Sequence, residues 1–209
     1  GMWERSHAGV YRVMGMPPTW EQHLMAACLA ARAVVSHRSA AALWSFAGSK
    51  RVSVAVTALR HRRLKSSSFE CHESHTLYAN DVTELNGLPV TMPTRTLVDL
   101  AVVLSDDDVE IALDDALRRN LTSVPRIRTI LDVLGPHRPG RARMKRVLDR
   151  RPSTGSVPES YLETRFVQLV RDMGLPEPER QFRVESAGRV AFLDFAYPAV
   201  ELAIELDGY

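Results

Sequence analysis

Charged residues are segregated along this chain, and the segregation limits how the chain can fold. Residues 22–69 contain eight Lys or Arg and no acid, whereas residues 70–115 contain eleven acids and one base, Arg95. Residues 118–151 then contain eleven Lys or Arg against two acids. The basic segments therefore either neutralise the acidic segment by folding against it or meet a polyanion such as nucleic acid.

The arginines are most concentrated in two short runs, residues 60–63 and 141–143. This concentration favours contact with nucleic acid over simple neutralisation of the acidic segment. We expect the side chains of these runs to neutralise DNA phosphates, so that binding weakens steeply as salt is added. The candidate DNA-binding residues are Arg60, Arg62, Arg63, Arg141, Arg143 and Lys145.

The composition is that of an ordinary folded protein. Of the 209 residues, 45% are hydrophobic and 25% are charged, which excludes a disordered chain, a collagen-like repeat and a coiled coil. No apolar stretch approaches the roughly 18 residues of a membrane span, and no signal peptide opens the chain. Cys28 and Cys71 are too few for a disulfide framework. We therefore expect a cytoplasmic protein with no membrane partner.

A stretch rich in proline and glycine, residues 135–157, predicts the main boundary in the chain. Before it, capped helices are mixed with short strands; after it, one helix precedes three strand candidates. We therefore expect an α+β fold of two domains, residues 1–150 and residues 151–209. A basic helix at about 141–150 lies within the boundary stretch.

Local signals place individual elements in the first domain. Thr19 with Gln22 forms a capping box for a helix that should run to about Val34. Ser36 is expected to cap a second, short helix, and alternating valines predict a strand over residues 52–57. Asn86-Gly87 is a hairpin turn signal.

In the second domain, Ser156 with Glu159 predicts the cap of the helix. The three strands are expected at 179–185, 189–196 and 200–207.

Carboxylates within the last two strand candidates could carry chemistry. Asp194 lies inside an apolar strand, and period-two alternation places Glu205 and Asp207 on one face of the next strand. Carboxylates crowded on a half-buried sheet repel one another, and a hard cation such as Mg²⁺ relieves that repulsion. Such an ion polarises a phosphodiester and activates water. Alternatively, these residues are edge-strand acids that point to solvent.

The C-terminal part resembles a bacterial family of unknown function that is related to the very-short-patch mismatch-repair endonuclease, within the restriction-endonuclease-like nucleases. The residues that carry the resemblance are Glu159–Glu163, Gly174–Pro178, Gln181, Leu193–Pro198 and Leu202–Gly208.

The resemblance implies a DNA endonuclease, with Asp194 and Glu205 as ligands of Mg²⁺ or Mn²⁺. It further implies Glu163 as a third catalytic carboxylate on the helix, with Gln181 and Asp207 as accessory residues.

Two departures from the nuclease pattern set the expected activity. The superfamily usually has a lysine two residues after the second acid, and Asp207 stands at that position. Residues that complete the fold and the site in this branch would follow Tyr209. We therefore expect a truncated restriction-endonuclease-like core that binds metal weakly and cuts DNA poorly or not at all.

The N-terminal part resembles actinobacterial proteins of the AbiEi antitoxin type, through Gly9–Arg12, Ser36–Trp44 and Gly87–Leu100. That resemblance implies an alternative function, a non-enzymatic DNA-binding antitoxin or transcription regulator with a toxin protein as partner. Most of the family's winged helix would be absent, with Trp3–Val13 as the end of its wing. A third alternative is an interaction module that forms a homodimer through the exposed strand 200–207.

Three further motifs have structural explanations that compete with functional ones. Cys71, His72 and His75 mimic the spacing of a zinc site, but a strand would direct His72 away from the other two. Ser36-His37 could be a nucleophile with its base, although a capping role explains Ser36 better. Arg95 is expected to pair with Asp99 at helical spacing.

Overall fold

A computed structural model describes residues 2–51, 53–60, 65–151, 158–186 and 189–207, and it has an α+β fold. The helices are α1 Trp20–Ala31, α2 His37–Leu43, α3 Pro93–Val103, α4 Asp106–Arg118, α5 Val124–Leu134, α6 Arg141–Asp149 and α7 Tyr161–Asp172. The strands are β1 Trp3–His7, β2 Val10–Val13, β3 Val34–Val35, β4 Ala55–Leu59, β5 Glu70–Ser74, β6 Val82–Leu85, β7 Leu88–Thr91, β8 Glu179–Ser186, β9 Arg189–Tyr197 and β10 Leu202–Ile204.

A mixed five-stranded sheet organises the N-terminal part, with strand order β5-β4-β3-β7-β6. The β6–β7 hairpin turns at Asn86-Gly87, whose φ angles of 52° and 77° are those of a type I′ turn, as the sequence predicts. Helix α1 packs on this sheet through Leu24, which is fully buried. The predicted capping box of Thr19 and Gln22 is present at its start.

Two element boundaries in this part differ from prediction. Helix α1 ends at Ala31 rather than near Val34, because Arg32 adopts a left-handed conformation that stops the helix and lets β3 begin. The strand predicted over 52–57 is β4, which begins later, at Ala55, and pairs with β5 in parallel. Val52 lies outside the described residues.

Helices α3 to α6 form a second layer around their own apolar core, which includes Leu97, Leu113 and Met144. Helix α6 approaches α3 closely at Gly140, the residue before its first turn. A Cβ at Gly140 would lie 2.9 Å from the backbone carbon of Ala101, and the φ of Gly140 is +82°. Only glycine satisfies both conditions without strain.

The C-terminal part is one helix, α7, followed by an antiparallel three-stranded sheet in the order β10-β9-β8. The predicted helix start is wrong: α7 begins at Tyr161, and its cap is Ser160, whose hydroxyl accepts a hydrogen bond from the Glu163 amide at 3.1 Å. Ser156 lies outside the described residues. The last strand is shorter than predicted, because a 3-10 turn over Pro198–Val200 delays β10.

Helix α7 packs against α4 through buried polar groups. The Thr164 hydroxyl donates to Asp114 at 3.0 Å, and the Gln168 amide donates to Glu110 at 3.2 Å. Arg171 forms an ion pair with Glu110 at 3.0 Å. These contacts join the parts of the chain on either side of the predicted boundary. Within that boundary stretch, residues 152–157 lie outside the described residues.

Candidate functional site

Gln181, Asp194 and Glu205 lie near one another in a row across one end of the C-terminal sheet. In the β8–β9 ladder, Arg180 pairs with Phe195 and Phe182 with Leu193, so Gln181 lies opposite Asp194. In the β9–β10 ladder, the last pair is Ile204 with Phe195, and Glu205 is the next residue after β10, so it lies near Asp194.

Asp194 occupies the centre of this row in a half-buried position. Its Oδ2 accepts a hydrogen bond from the Leu206 backbone N–H at 2.8 Å. The bond engages one carboxylate oxygen and holds the segment after β10 beside β9. Glu205 and Asp207 are exposed to solvent. The backbone of Gln181 is left-handed, with φ of 48°, which departs from the regular pleat of β8.

Glu163 belongs to a different environment from this row. Its side chain is buried, and Oε2 accepts a hydrogen bond from the Glu159 backbone N–H at 2.9 Å. The carboxylate therefore provides the acceptor for a backbone donor just before α7. Helix α7 packs on the β9 face that carries Phe195, since the rings of Phe166 and Phe195 lie 4.8 Å apart. Alternation along β9 directs Asp194 to the opposite face. The fold therefore does not bring Glu163 to the Asp194–Glu205 pair.

Within the described ranges, no three His, Cys, Asp or Glu side chains form a group that could hold a metal ion. The two carboxylates that lie near each other here are those of Asp194 and Glu205. Mg²⁺ is commonly held in proteins by one or two carboxylates, with water and phosphate oxygens completing its octahedron. A two-carboxylate site for Mg²⁺ or Mn²⁺ is thus chemically compatible with Asp194 and Glu205.

The candidate DNA-binding arginines of α6 are engaged within the molecule. Arg141 donates to the Leu131 carbonyl and pairs with Asp132 at 3.0 Å. Arg143 pairs with Asp106 at 3.0 Å and donates to the Ala101 carbonyl at 2.9 Å.

The other candidate cations lie in different surroundings. Lys145 is exposed, and so is Arg60, whose guanidinium lies 3.2 Å from Nδ1 of His75. Arg62 and Arg63 lie outside the described residues.

One carboxylate of α4 gathers three guanidinium groups. Asp106 contacts Arg143, Arg146 and Arg150 at 3.0, 2.9 and 3.3 Å. The hydrogen bond from Arg146 is the main reason that the pKa of Asp106 lies below its ordinary value. The basic segment therefore folds against the acidic segment here, which is the neutralisation alternative that the charge pattern left open.

A buried polar cluster in the N-terminal part was only partly visible in the sequence. Arg95 is fully buried and donates to Asp99 at 3.0 Å, the pair expected from helical spacing. It also pairs with Asp81 at 2.9 Å, and Arg138 reaches the same Asp99 oxygen at 2.7 Å. The single base in an acidic segment was the signal for this cluster, but its partners on other elements were not predictable from spacing.

His37 lies beside this cluster in a strained conformation. Its φ is 50°, its ring stacks on His72 at 3.6 Å, and burial lowers its pKa to about 3. The Ser36 hydroxyl lies 2.9 Å from His37 Nδ1 and accepts from Thr57 at 2.7 Å.

Ser36 is the N-cap of α2, as predicted, but its hydroxyl makes no capping hydrogen bond. Ser36 is fully buried, so substrate has no access to it as a nucleophile.

Comparison with protein-family models, curated proteins and solved structures finds no match for this chain. No helix among the described residues has the length and apolar character needed to cross a membrane.

Proposed function

We propose that the C-terminal part is a divalent-metal-dependent, restriction-endonuclease-like core that acts on DNA. One observation supports this function: Glu205 follows the last pair of the β9–β10 ladder, Ile204 with Phe195, and so lies near Asp194. Two carboxylates so placed are suited to hold Mg²⁺ or Mn²⁺, and the bound ion would polarise a phosphodiester and lower the pKa of an attacking water.

Each residue of the row has a role in this proposal. Asp194 is held in place by the Leu206 N–H and supplies the first metal ligand, and Glu205 supplies the second. Gln181 and Asp207 are accessory polar neighbours. Glu163 supports the start of α7, because its carboxylate accepts the Glu159 N–H.

Phosphate contacts fall first to Arg60 and Lys145, which are exposed. Such contacts make DNA binding sensitive to salt. Both cysteines are free thiols, which suits action in the reducing cytoplasm.

Nicking of supercoiled plasmid with Mn²⁺ over long incubations tests the enzymatic proposal. We expect slow nicking that Asp194→Asn and Glu205→Gln abolish. Asparagine preserves an acceptor for the Leu206 N–H and removes only the charge. Glu201→Gln, an exposed acid beside β10, is the matched control and should nick like the unmodified chain. Absence of nicking in the unmodified protein, with DNA binding intact, would overturn an enzymatic role.

A second function is favoured by the backbone hydrogen bonds of the carboxylates. Asp194 and Glu163 each accept a main-chain N–H, which is a structural use of a carboxylate. In this alternative the protein is a non-enzymatic, antitoxin-like DNA-binding protein with a protein partner. DNA binding that is indifferent to Asp194→Asn and to divalent metal, together with no nicking, would favour it.

A further inference from the structure

A half-open cavity lies between α2, the connection that follows it, and helices α3 and α4, far along the chain from the carboxylate row. Its volume is about 440 Å³. Pockets of roughly 300–1,000 Å³ are the usual size for small organic ligands. The cavity is thus large enough for a molecule with an aromatic ring and a short side chain.

The floor of the cavity is apolar and built from small or aliphatic side chains. Ala41 of α2, Leu100 of α3, and Ile111 and Ala112 of α4 contribute to it. Ala41, Leu100, Ile111 and Ala112 are otherwise part of the packed interior, with exposures of 1, 1, 4 and 2%. An apolar body placed here would be removed from water, which is favourable in proportion to the buried area.

The charged groups in the lining are mostly cationic. Arg38 and Lys50 are both exposed, and Asp108 is the acid among the lining residues. Asp108 already accepts from the Ser105 hydroxyl at 2.8 Å. Arg38 uses Nη2 to donate to the Val103 carbonyl at 2.7 Å, and this bond fixes the guanidinium near the cavity. An anionic group gains charge-assisted hydrogen bonds from such a pair of cations.

The wall formed by Ala47–Lys50 and Ser53 is held in place before any ligand arrives. The Ser39 hydroxyl donates to the Ser53 carbonyl at 2.8 Å and accepts from the Ala55 N–H at 2.8 Å. The Ser49 hydroxyl lies 3.2 Å from the Ala41 carbonyl oxygen. Because these bonds order the wall in advance, binding requires little further loss of conformational freedom.

From the volume, the apolar floor and the two cations, we propose that this cavity binds a small organic monoanion with an apolar or aromatic body, such as an arylalkyl carboxylate. The apolar body lies against Leu100, Ile111 and Ala112, and the carboxylate meets Arg38 and Lys50. This site is independent of metal and of the Asp194–Glu205 pair.

Three probes with the same phenylbutyl carbon skeleton test the charge requirement: phenylbutyrate, the neutral phenylbutanamide and the cationic phenylbutylamine. Titration of the full chain is followed by calorimetry and by two-dimensional NMR of the backbone amides. We expect phenylbutyrate to bind about tenfold more tightly than the amide, as charge-assisted hydrogen bonds predict. Its amide shifts should centre on Gly48, Lys50 and Ile111.

Substitutions separate a specific site from general apolar binding. Arg38→Gln and Lys50→Gln should each remove most of the preference for the carboxylate, whereas Lys65→Gln, an exposed control with the same charge change, should retain it. Ala112→Leu should block all three probes, because the larger side chain fills the floor of the cavity. Unchanged backbone amide signals away from the cavity show that this variant is folded. Equal binding of the three probes, shifts that map elsewhere, or no binding up to millimolar concentration would each overturn the proposal.

Discussion

Arg95 shows how a single buried side chain can organise several elements. Its guanidinium pairs with Asp99 on its own helix and with Asp81 before β6, and it donates to Ser74 of β5 at 3.1 Å. The pair with Asp99 was predictable because helical spacing fixes it locally. Asp81 and Ser74 were not, because only the tertiary fold brings them to Arg95.

Replacement of this guanidinium should destabilise the protein strongly. Arg95→Met leaves the buried carboxylate of Asp81 without its guanidinium partner and Asp99 with Arg138 alone, and breaking a buried pair costs about 3–5 kcal/mol. Urea unfolding measures the loss. Arg51→Met is the control, since Arg51 pairs with Glu21 at the surface, and it should change the stability far less. A loss of similar size in both variants would contradict the role given to Arg95.

His37 should make the stability depend on pH. Its pKa falls from 6.5 to about 3 in the folded state because it is buried, so the unfolded chain binds the proton more readily. The contribution of neutral His37 to the free energy of unfolding is complete above pH 6.5. It declines as the pH falls toward 3, by about 1.4 kcal/mol for each pH unit.

His37→Asn tests this dependence, because asparagine tolerates the positive φ at this position. The free energy of unfolding of this variant, measured by urea titration at a series of acidic pH values, should fall less steeply than that of the unmodified protein. The control His23→Asn removes an exposed histidine on α1. Identical slopes for the unmodified protein and His37→Asn would show that His37 does not carry the effect.

At the scale of single elements, signals confined to a few residues were the most reliable. Thr19 with Gln22 and the Asn86-Gly87 turn depend only on neighbouring backbone atoms, and both form as predicted. Ser36 occupies the predicted cap position, but its hydroxyl makes no capping bond, because Thr57 and His37, brought close by β4 and a left-handed backbone, engage it instead. Competing tertiary partners cannot be read from local sequence.

The contact between α4 and α6 engages arginines that would otherwise be free to bind DNA. Asp106→Asn removes the carboxylate that holds Arg143, Arg146 and Arg150, and so frees guanidinium groups for phosphate. We expect a modest loss of stability and tighter nonspecific DNA binding, with a steeper dependence on salt. Fluorescence anisotropy of labelled duplex DNA at several salt concentrations measures both quantities.

Asp172→Asn is the matched control for net charge, because Asp172 is an exposed acid on α7. It should alter the salt dependence less than Asp106→Asn does. If the two variants bind DNA alike, the freed arginines of α6 do not face the nucleic acid.

At the scale of the whole molecule, the charge pattern predicted that the basic segments meet negative charge. It left open whether that charge belongs to the acidic segment or to nucleic acid. The acidic helix α4 forms ion pairs with arginines of two neighbouring helices, Arg143 of α6 on Asp106 and Arg171 of α7 on Glu110. The α+β class and the order of the C-terminal strands were predictable from periodicity. The separation of Glu163 from Asp194 was not, because it depends on which face of β9 receives α7.

The central claim is that Asp194 and Glu205 together hold a divalent cation. Electron paramagnetic resonance of Mn²⁺ titrated into the full chain counts the bound ion directly, without any need for DNA cleavage. We predict one weak site whose affinity drops by at least about tenfold in Asp194→Asn and in Glu205→Gln, as expected when one of two charged ligands is lost, and is unchanged in Glu201→Gln. Mn²⁺ binding that is equal in all four proteins, or absent from the unmodified chain, would contradict the claim.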